Sequence, residues 1–395
     1  MRLFYHVLPI LLLAGCTQSL TQSETAAPPI TPRAVTSPVP PPAPTKVVPK
    51  PAPALTAAYV PGWAPPTSSD TVLRLQGRRY TLRVQAVTDS TRRLRTTYET
   101  TPGHREQARG FEGRFTFTLL DSTGGQVFRR VLQKQAFYKV GNKDVVIESE
   151  AFAPELLGYS AAFGALVFNL PFMVPDSDVG GNVLLLLDLK GQVLRICKGE
   201  AVGGPEVAVG LSSDGRALLT PDELLRPGRP PLRLDKPDAD LAGAFFLSDT
   251  TLLLLYEPGK SRARKLPDGS YAYGRDPSPQ QLRAPNAFVR HTVSGRELAR
   301  FRYRGFYEEL GFSIPWHFLR ATATGYLLDE RQGLYVLPRA APAQVALVRF
   351  AQMSAVGRKA KPTEAHFELY GENGHFAFYI DTINPRSIRY QKLRD

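Results

Sequence analysis

Cysteine is nearly absent from this chain. Two residues in 395 can close at most one bridge, so a disulfide-stapled scaffold is excluded. Tryptophan (2), methionine (3) and histidine (6) are also scarce, and no H-E-x-x-H pair, the zinc-hydrolase spacing, occurs. No uninterrupted apolar run reaches the ~18 residues of a membrane-spanning helix. Proline (35), glycine (32) and positive charge are plentiful. The 49 Lys and Arg against 36 Asp and Glu leave a formal charge of +13, which favours anionic surroundings such as lipid headgroups, acidic glycans or nucleic acid. With 43% hydrophobic residues the chain can bury one large or two moderate cores.

The first residues bear on which anion is meant. Met1 and Arg2 precede an apolar stretch from Leu3 to Leu13, of the length of a signal-peptide core and too short to span a membrane. It ends in Leu13-Ala14-Gly15-Cys16. This run resembles the bacterial lipobox, with a branched aliphatic residue, two small residues beside the cut and the cysteine that carries a diacylglyceryl thioether. The resemblance implies that residues 1–15 are removed and that Cys16 is acylated, with palmitate-type chains inserting in a bilayer. Two or three such chains hold firmly, since each buried CH2 contributes ~0.8 kcal/mol. Thr17 follows the cysteine, and lipoproteins without Asp at that position are expected at the outer membrane, facing the periplasm or the cell surface. Such an address disfavours nucleic acid as a partner.

Residues 16–69 read as a tether. From Pro28 to Pro66 the chain holds 14 of its 35 prolines, and proline fixes φ while removing a donor, so an extended spacer of ~3.1 Å per residue is expected there.

Beyond Asp70 short runs of Val, Leu, Phe, Tyr and Thr alternate with Gly, Asp, Asn and Pro, the punctuation of strands and turns. Hairpins are expected at Phe115–Leu132, Val183–Ile196, Val207–Thr220, Ala287–Phe301, Tyr326–Leu337 and His366–Ile380. Ser212-Ser213-Asp214-Gly215-Arg216 resembles the turn between strands of many β-propeller blades. The turn points Asp121, Asp188, Asp214, Asp249, Ser294, Asp329 and Asn373 are spaced 67, 26, 35, 45, 35 and 44 residues apart, averaging close to one four-stranded blade of ~40 to 50 residues. The expected fold is all-β: a small β-sandwich-like module over 70–150, rich in arginine, then a β-propeller-like domain over 151–395. Paired β-sandwiches are the competing architecture, because Asp-Gly and Asn-Gly turns serve any antiparallel sheet. Thr220–Leu225 and Tyr307–Leu310 are expected to form single helical turns.

Chemistry is sparse. Gly158-Tyr-Ser-Ala-Ala162 has Ala where a nucleophile elbow needs its second Gly, and Gly259-Lys-Ser261 lacks the first P-loop glycine. Cys197, without a partner once Cys16 is lipidated, is expected to be a buried thiol. His317, His366 and His375, with Asp329 and Asp381, are weak candidates for an acid–base or metal site, His366 and His375 as cross-strand neighbours. Asp176 and Asp178, in a Gly-rich loop, are weak calcium candidates without the late Glu of an EF-hand. Trp316 and Arg320, and Arg300, Arg302 and Arg304 on one face of a strand, are weak candidates for binding a sugar or anion.

The expectation is therefore a non-catalytic envelope lipoprotein, without a cofactor, displaying a β domain for binding or scaffolding. Its partners would be the bilayer through Cys16 and an anionic glycan or envelope protein. The alternatives are a propeller-type hydrolase or lyase acting on glycans, with the histidines and carboxylates converging in a funnel, and an accessory subunit of an outer-membrane complex.

Overall fold

Successive side chains of a strand point to opposite faces, and this period of two assigns each sheet face. In the computed structural model Phe115, Phe117 and Leu119 are fully buried while Arg114 in the same strand is exposed. The structure describes residues 67–101, 104–266, 271–308, 311–355 and 361–393. Cys16, the segment read as a signal and the proline-rich stretch up to Pro66 lie outside these residues.

The described chain is all-β, built from six four- or five-stranded sheets and two small two-stranded ones. The first joins Thr67–Leu75, Arg78–Thr101, His104–Leu120 and Gln126–Gln133 as an antiparallel meander. The second joins Glu155–Ser160, Ala165–Met173, Gly180–Asp188 and Val193–Ala201 in the same way. The third, Gly210–Leu211, Leu218–Leu219, Glu223–Leu225 and Leu232–Arg233, has strands of two or three residues. Pro205, Pro221, Pro227, Pro230 and Pro231 punctuate that region and cannot donate to a ladder.

The fourth sheet holds Ala239–Ser248, Thr251–Pro258, Ala287–His291 and Glu297–Phe301, with Glu206–Val207 added in parallel. Trp316–Leu319, Thr324–Asp329, Gly333–Pro338 and Ala346–Arg349 make the fifth. In the sixth, Glu364–Gly371, Gly374–Asp381 and Ile388–Leu393 are antiparallel and Ser354–Ala355 joins in parallel. All six expected hairpins are present.

Both faces of the inner sheets are buried, and adjacent residues of one strand serve different cores. Val183, Leu185 and Leu187 pack with Phe115 and Phe117 of the first sheet, whereas Leu184 and Leu186 pack toward Leu218 of the third. Leu252 and Leu254 join Leu219 and Leu224, while Leu253 and Leu255 join Leu327 and Leu337. Tyr326 and Leu328 face Phe367 and Phe378 of the sixth sheet. Sheet faces therefore stack one, two, three, four, five, six, as blades do, with no closed barrel. The outer face of the first sheet stays polar: its Arg83 and Asp70 pair at 2.9 Å, each 48% exposed.

Carboxylates at turn starts fix the hairpin ends. Asp121, Asp188 and Asp214 accept from the backbone N–H two residues on at 2.9 Å in each case, the Asx-turn geometry. Turns of neighbouring sheets are then tied together. Ser160 Oγ donates to the Gly215 carbonyl at 2.5 Å, Asp214 N–H to Asp249 at 3.1 Å, and Asn373 N–H to Glu330 at 2.9 Å.

Two expectations of helix are overturned. Glu223–Leu225 and Phe306–Glu308 are strands, the former because Leu224 and Leu225 point into different cores, which a strand permits. The arginine strand also ends early, at Phe301. Tyr303 N–H donates to the Asn286 side chain at 2.8 Å rather than to a ladder partner, so Arg302 and Arg304 lie beyond the strand.

Candidate functional site

Two small hairpins, Arg262–Lys265 with Tyr271–Gly274 and Phe306–Glu308 with Gly311–Ser313, carry residues that line two adjoining clefts. The first, about 850 Å³, lies where Asp240–Ala242 and Glu257 of the fourth sheet meet Tyr273, Arg275, Tyr307 and Phe312. The second, about 570 Å³, is lined by Arg302–Tyr307 and Phe312, by Leu282 of the short helix Pro279–Arg283, and by the turns at Asp329–Arg331 and Glu372–Asn373. Arg275, Tyr307 and Phe312 belong to both.

Arg275 organises the wall between them. Its guanidinium pairs with Asp240 at 2.9 Å and with Glu257. Asp240 also takes the Lys260 ammonium at 3.1 Å and the Ser261 N–H at 2.8 Å, and Tyr307 OH donates to Glu257. Burial works against the Asp240 carboxylate. The Ser261 N–H, Lys260 and Arg275 outweigh it and hold its pKa below the usual range. Nearby, burial pushes the Glu206 carboxyl up, an Ile314 N–H opposing it. The wall is thus a set of mutually satisfied charges, with Tyr273 (75% exposed) and Tyr307 (63% exposed) standing out from the small hairpins.

Of the residues singled out from the sequence, Arg302, Arg304 and Asp329 line the second cleft. Asp329 is fully buried there, accepting from Arg331 N–H at 3.2 Å and Gln332 Nε2 at 2.7 Å. The others lie elsewhere. Trp316 packs on Phe245, ring centroids 4.5 Å apart, and His317 stacks on Phe367 at 4.5 Å, with burial lowering its pKa. Arg320 begins a short 3-10 turn, and Arg300 pairs with Glu297 at 3.5 Å.

His366 and His375 are on one face of the sixth sheet but are not opposite each other. The tight turn between Gly371 and Gly374 sets a register that pairs His366 with Tyr379 and His375 with Tyr370. Glu368 reaches both rings, at 3.5 Å and 2.8 Å. Asp381 is opposite Glu364 and accepts from Ile383 and Asn384 N–H, a turn-closing role. Asp176 and Asp178 sit in the exposed loop at 174–179, Asp176 at φ +55°. Among the described residues no three His, Cys, Asp or Glu side chains are arranged to hold a metal ion. Cys197 is a buried free thiol, its pKa raised by burial.

No family model and no curated protein matches the sequence. Among solved structures, BamB from Moraxella catarrhalis aligns with 80% of this chain and 94% of its own, at 12% identity and a TM-score of 0.20. That likeness is too loose to carry a role from one protein to the other.

Sequence reasoning missed Asp240, Glu257, Lys260, Arg275 and Tyr307. They come from four segments with no shared motif, and only pairing across the fourth sheet and its hairpins brings them together.

Proposed function

We propose that this chain is an envelope lipoprotein, held in the outer membrane through acylated Cys16, whose β domain is a binding or scaffolding surface centred on the two clefts. The observation that supports the reading is the wall at Arg275. Its two carboxylates are already engaged by cations, a hydroxyl and a backbone N–H, so the site offers shape and fixed charge rather than a free acid and base. A partner would meet the exposed Tyr273 and Tyr307 rings beside Arg275, residue types enriched at binding hot spots.

Photocrosslinking in cells tests it. A benzoylphenylalanine at Tyr273, beside the first cleft, is expected to give a discrete adduct that the same group at Tyr370, on the outer face of the sixth sheet, does not give. Absence of any adduct at Tyr273, together with turnover of an envelope glycan by the purified chain that Glu257→Gln abolishes, would establish the hydrolase alternative instead.

A further inference from the structure

The register of the first sheet places Arg74, Arg79, Arg83, Arg114 and Arg129 on one face, the one turned away from the second sheet. All five are exposed. Asp70 is the single carboxylate among them, and Arg83 engages it at two points, 3.0 Å and 2.9 Å. Past the ends of the face, Asp89 is held by the Thr91 N–H and hydroxyl, and Asp121 by the Thr123 and Gly125 N–H groups. Arg74, Arg79, Arg114 and Arg129 form no ion pair among the described residues. Arg74 and Arg79 stand directly opposite each other across the edge hairpin, a like-charge pairing that weakens a sheet. Val72 and Val131 share the face, 55% and 37% exposed. The other end of the stack has no such excess: on the sixth sheet Arg389 pairs with Glu364, and Glu368 reaches His366 and His375.

We infer that this face rests on the headgroups of an anionic lipid bilayer, its guanidinium groups on lipid phosphates and Val72 and Val131 at headgroup level. Guanidinium forks match phosphate oxygens, and basic residues interleaved with apolar ones are what a membrane surface attracts. Arg79 and Arg114, which is paired with Val87 of the same strand as Arg79, are about 25 Å apart at about 3.3 Å per residue. One small anion cannot reach both, whereas a charged surface can. A hydrated acidic polysaccharide would offer the two valines nothing. The segment that follows Cys16 also joins the β domain at Thr67, on the edge strand of this same sheet. The inference shares with the reading above only the membrane address of Cys16, and it concerns a surface separate from the clefts.

The Cys16→Ser chain, which cannot be acylated at that position, isolates the protein surface. In co-sedimentation with vesicles of equal phosphatidylglycerol and phosphatidylcholine it is expected to pellet. Release by about 0.5 M NaCl and no binding to phosphatidylcholine alone are expected with it. Adding Arg74→Gln/Arg79→Gln/Arg129→Gln is expected to lower partitioning about tenfold or more. Because the whole chain is basic, Arg262→Gln/Arg264→Gln/Lys265→Gln removes the same charge from another exposed strand and is expected to leave binding intact. Arg74→Gln alone relieves the repulsion with Arg79, so it is expected to unfold no earlier than the parent while binding less. Equal losses in the two triple variants, binding indifferent to the first, or no binding to the anionic vesicles would each overturn the inference. So would preference for oligogalacturonate over vesicles at equal anionic charge. Acylation of Cys16 and adduct formation at Tyr273 are read separately, so failure here leaves the proposed function standing.

Discussion

The ammonium nitrogen of Lys134 stands 3.0 Å from the carbonyl oxygen of Ile147, in a position with no exposed surface. It also donates to the Ser149 carbonyl, and the buried Glu112 accepts from the Lys134 backbone N–H at 3.0 Å. Burial pushes the Lys134 pKa down to about 8, against the attraction of Glu112 and Glu150. Below pH 8 both folded and unfolded chains carry this proton. Between pH 8 and 10.5 the folded chain has lost it and the unfolded chain has not, so stability rises with pH across that window. The full gain is about 3 kcal/mol at 1.36 kcal/mol per pH unit. Lys236, half-buried over Phe288 and also lowered to about 8, adds a slope of the same sign. The contrast between wild type and Lys134→Met in urea unfolding from pH 7 to 10 isolates Lys134. A steeper rise in wild type is expected, and equal slopes would count against it.

Gly110 makes the same contact tight from the other side. A Cβ built there would lie 1.9 Å from the Ile147 oxygen, so the helix Lys143–Glu148 rests directly on bare backbone. Gly110→Ala must displace the carbonyl that Lys134 uses. A loss of about 1 to 3 kcal/mol is expected, read as a lower urea midpoint. Gly77→Ala tests a different constraint: nothing lies within 4 Å of its Cβ position, and its φ of +78° alone makes the substitution unfavourable.

At the far end of the chain Glu364 and Arg389 form a two-point pair, at 2.7 Å and 2.5 Å. The Arg389 hydrogen bonds hold the Glu364 carboxyl down at about 2 against its ordinary 4.5. Its contribution is fully present above pH 4.5 and is lost as pH falls toward 2. Arg389→Gln is expected to cost about 1 to 3 kcal/mol at pH 7 and to flatten the acid limb of the stability profile. An acid limb unchanged by the substitution would contradict the assignment.

Phe117 and Phe168 meet edge to face, ring centroids 4.7 Å apart, across the first and second sheets. Both are fully buried. Phe168→Ala is expected to cost about 3 to 5 kcal/mol. Because one core spans both sheets, the loss should appear in a single unfolding transition. A separate early transition confined to residues 67–133 in hydrogen exchange would show the first sheet folding on its own.

Much of this fold was legible because strands and turns leave local marks. Asp121, Asp188 and Asp214 each close the turn that their spacing announced, and the alternation in Phe115–Leu119 named its own buried face. Which faces meet was not local. The pairing of Leu252 with one core and Leu253 with the next needs the neighbouring sheets in place. Trp316 and His317 look like ligand contacts in one dimension and are packing residues in three. The Arg275 wall was illegible for the same reason, since its partners are separated by up to 67 residues along the chain.

The central claim is that this β domain is displayed from a membrane by a lipid on Cys16. Membrane fractionation with labelled palmitate, comparing wild type and Cys16→Ser after a high-salt wash, tests it most directly. The account predicts labelled wild type in the membrane fraction and an unlabelled, salt-released Cys16→Ser chain. A Cys16→Ser chain that stays in the membrane fraction through the wash would contradict it.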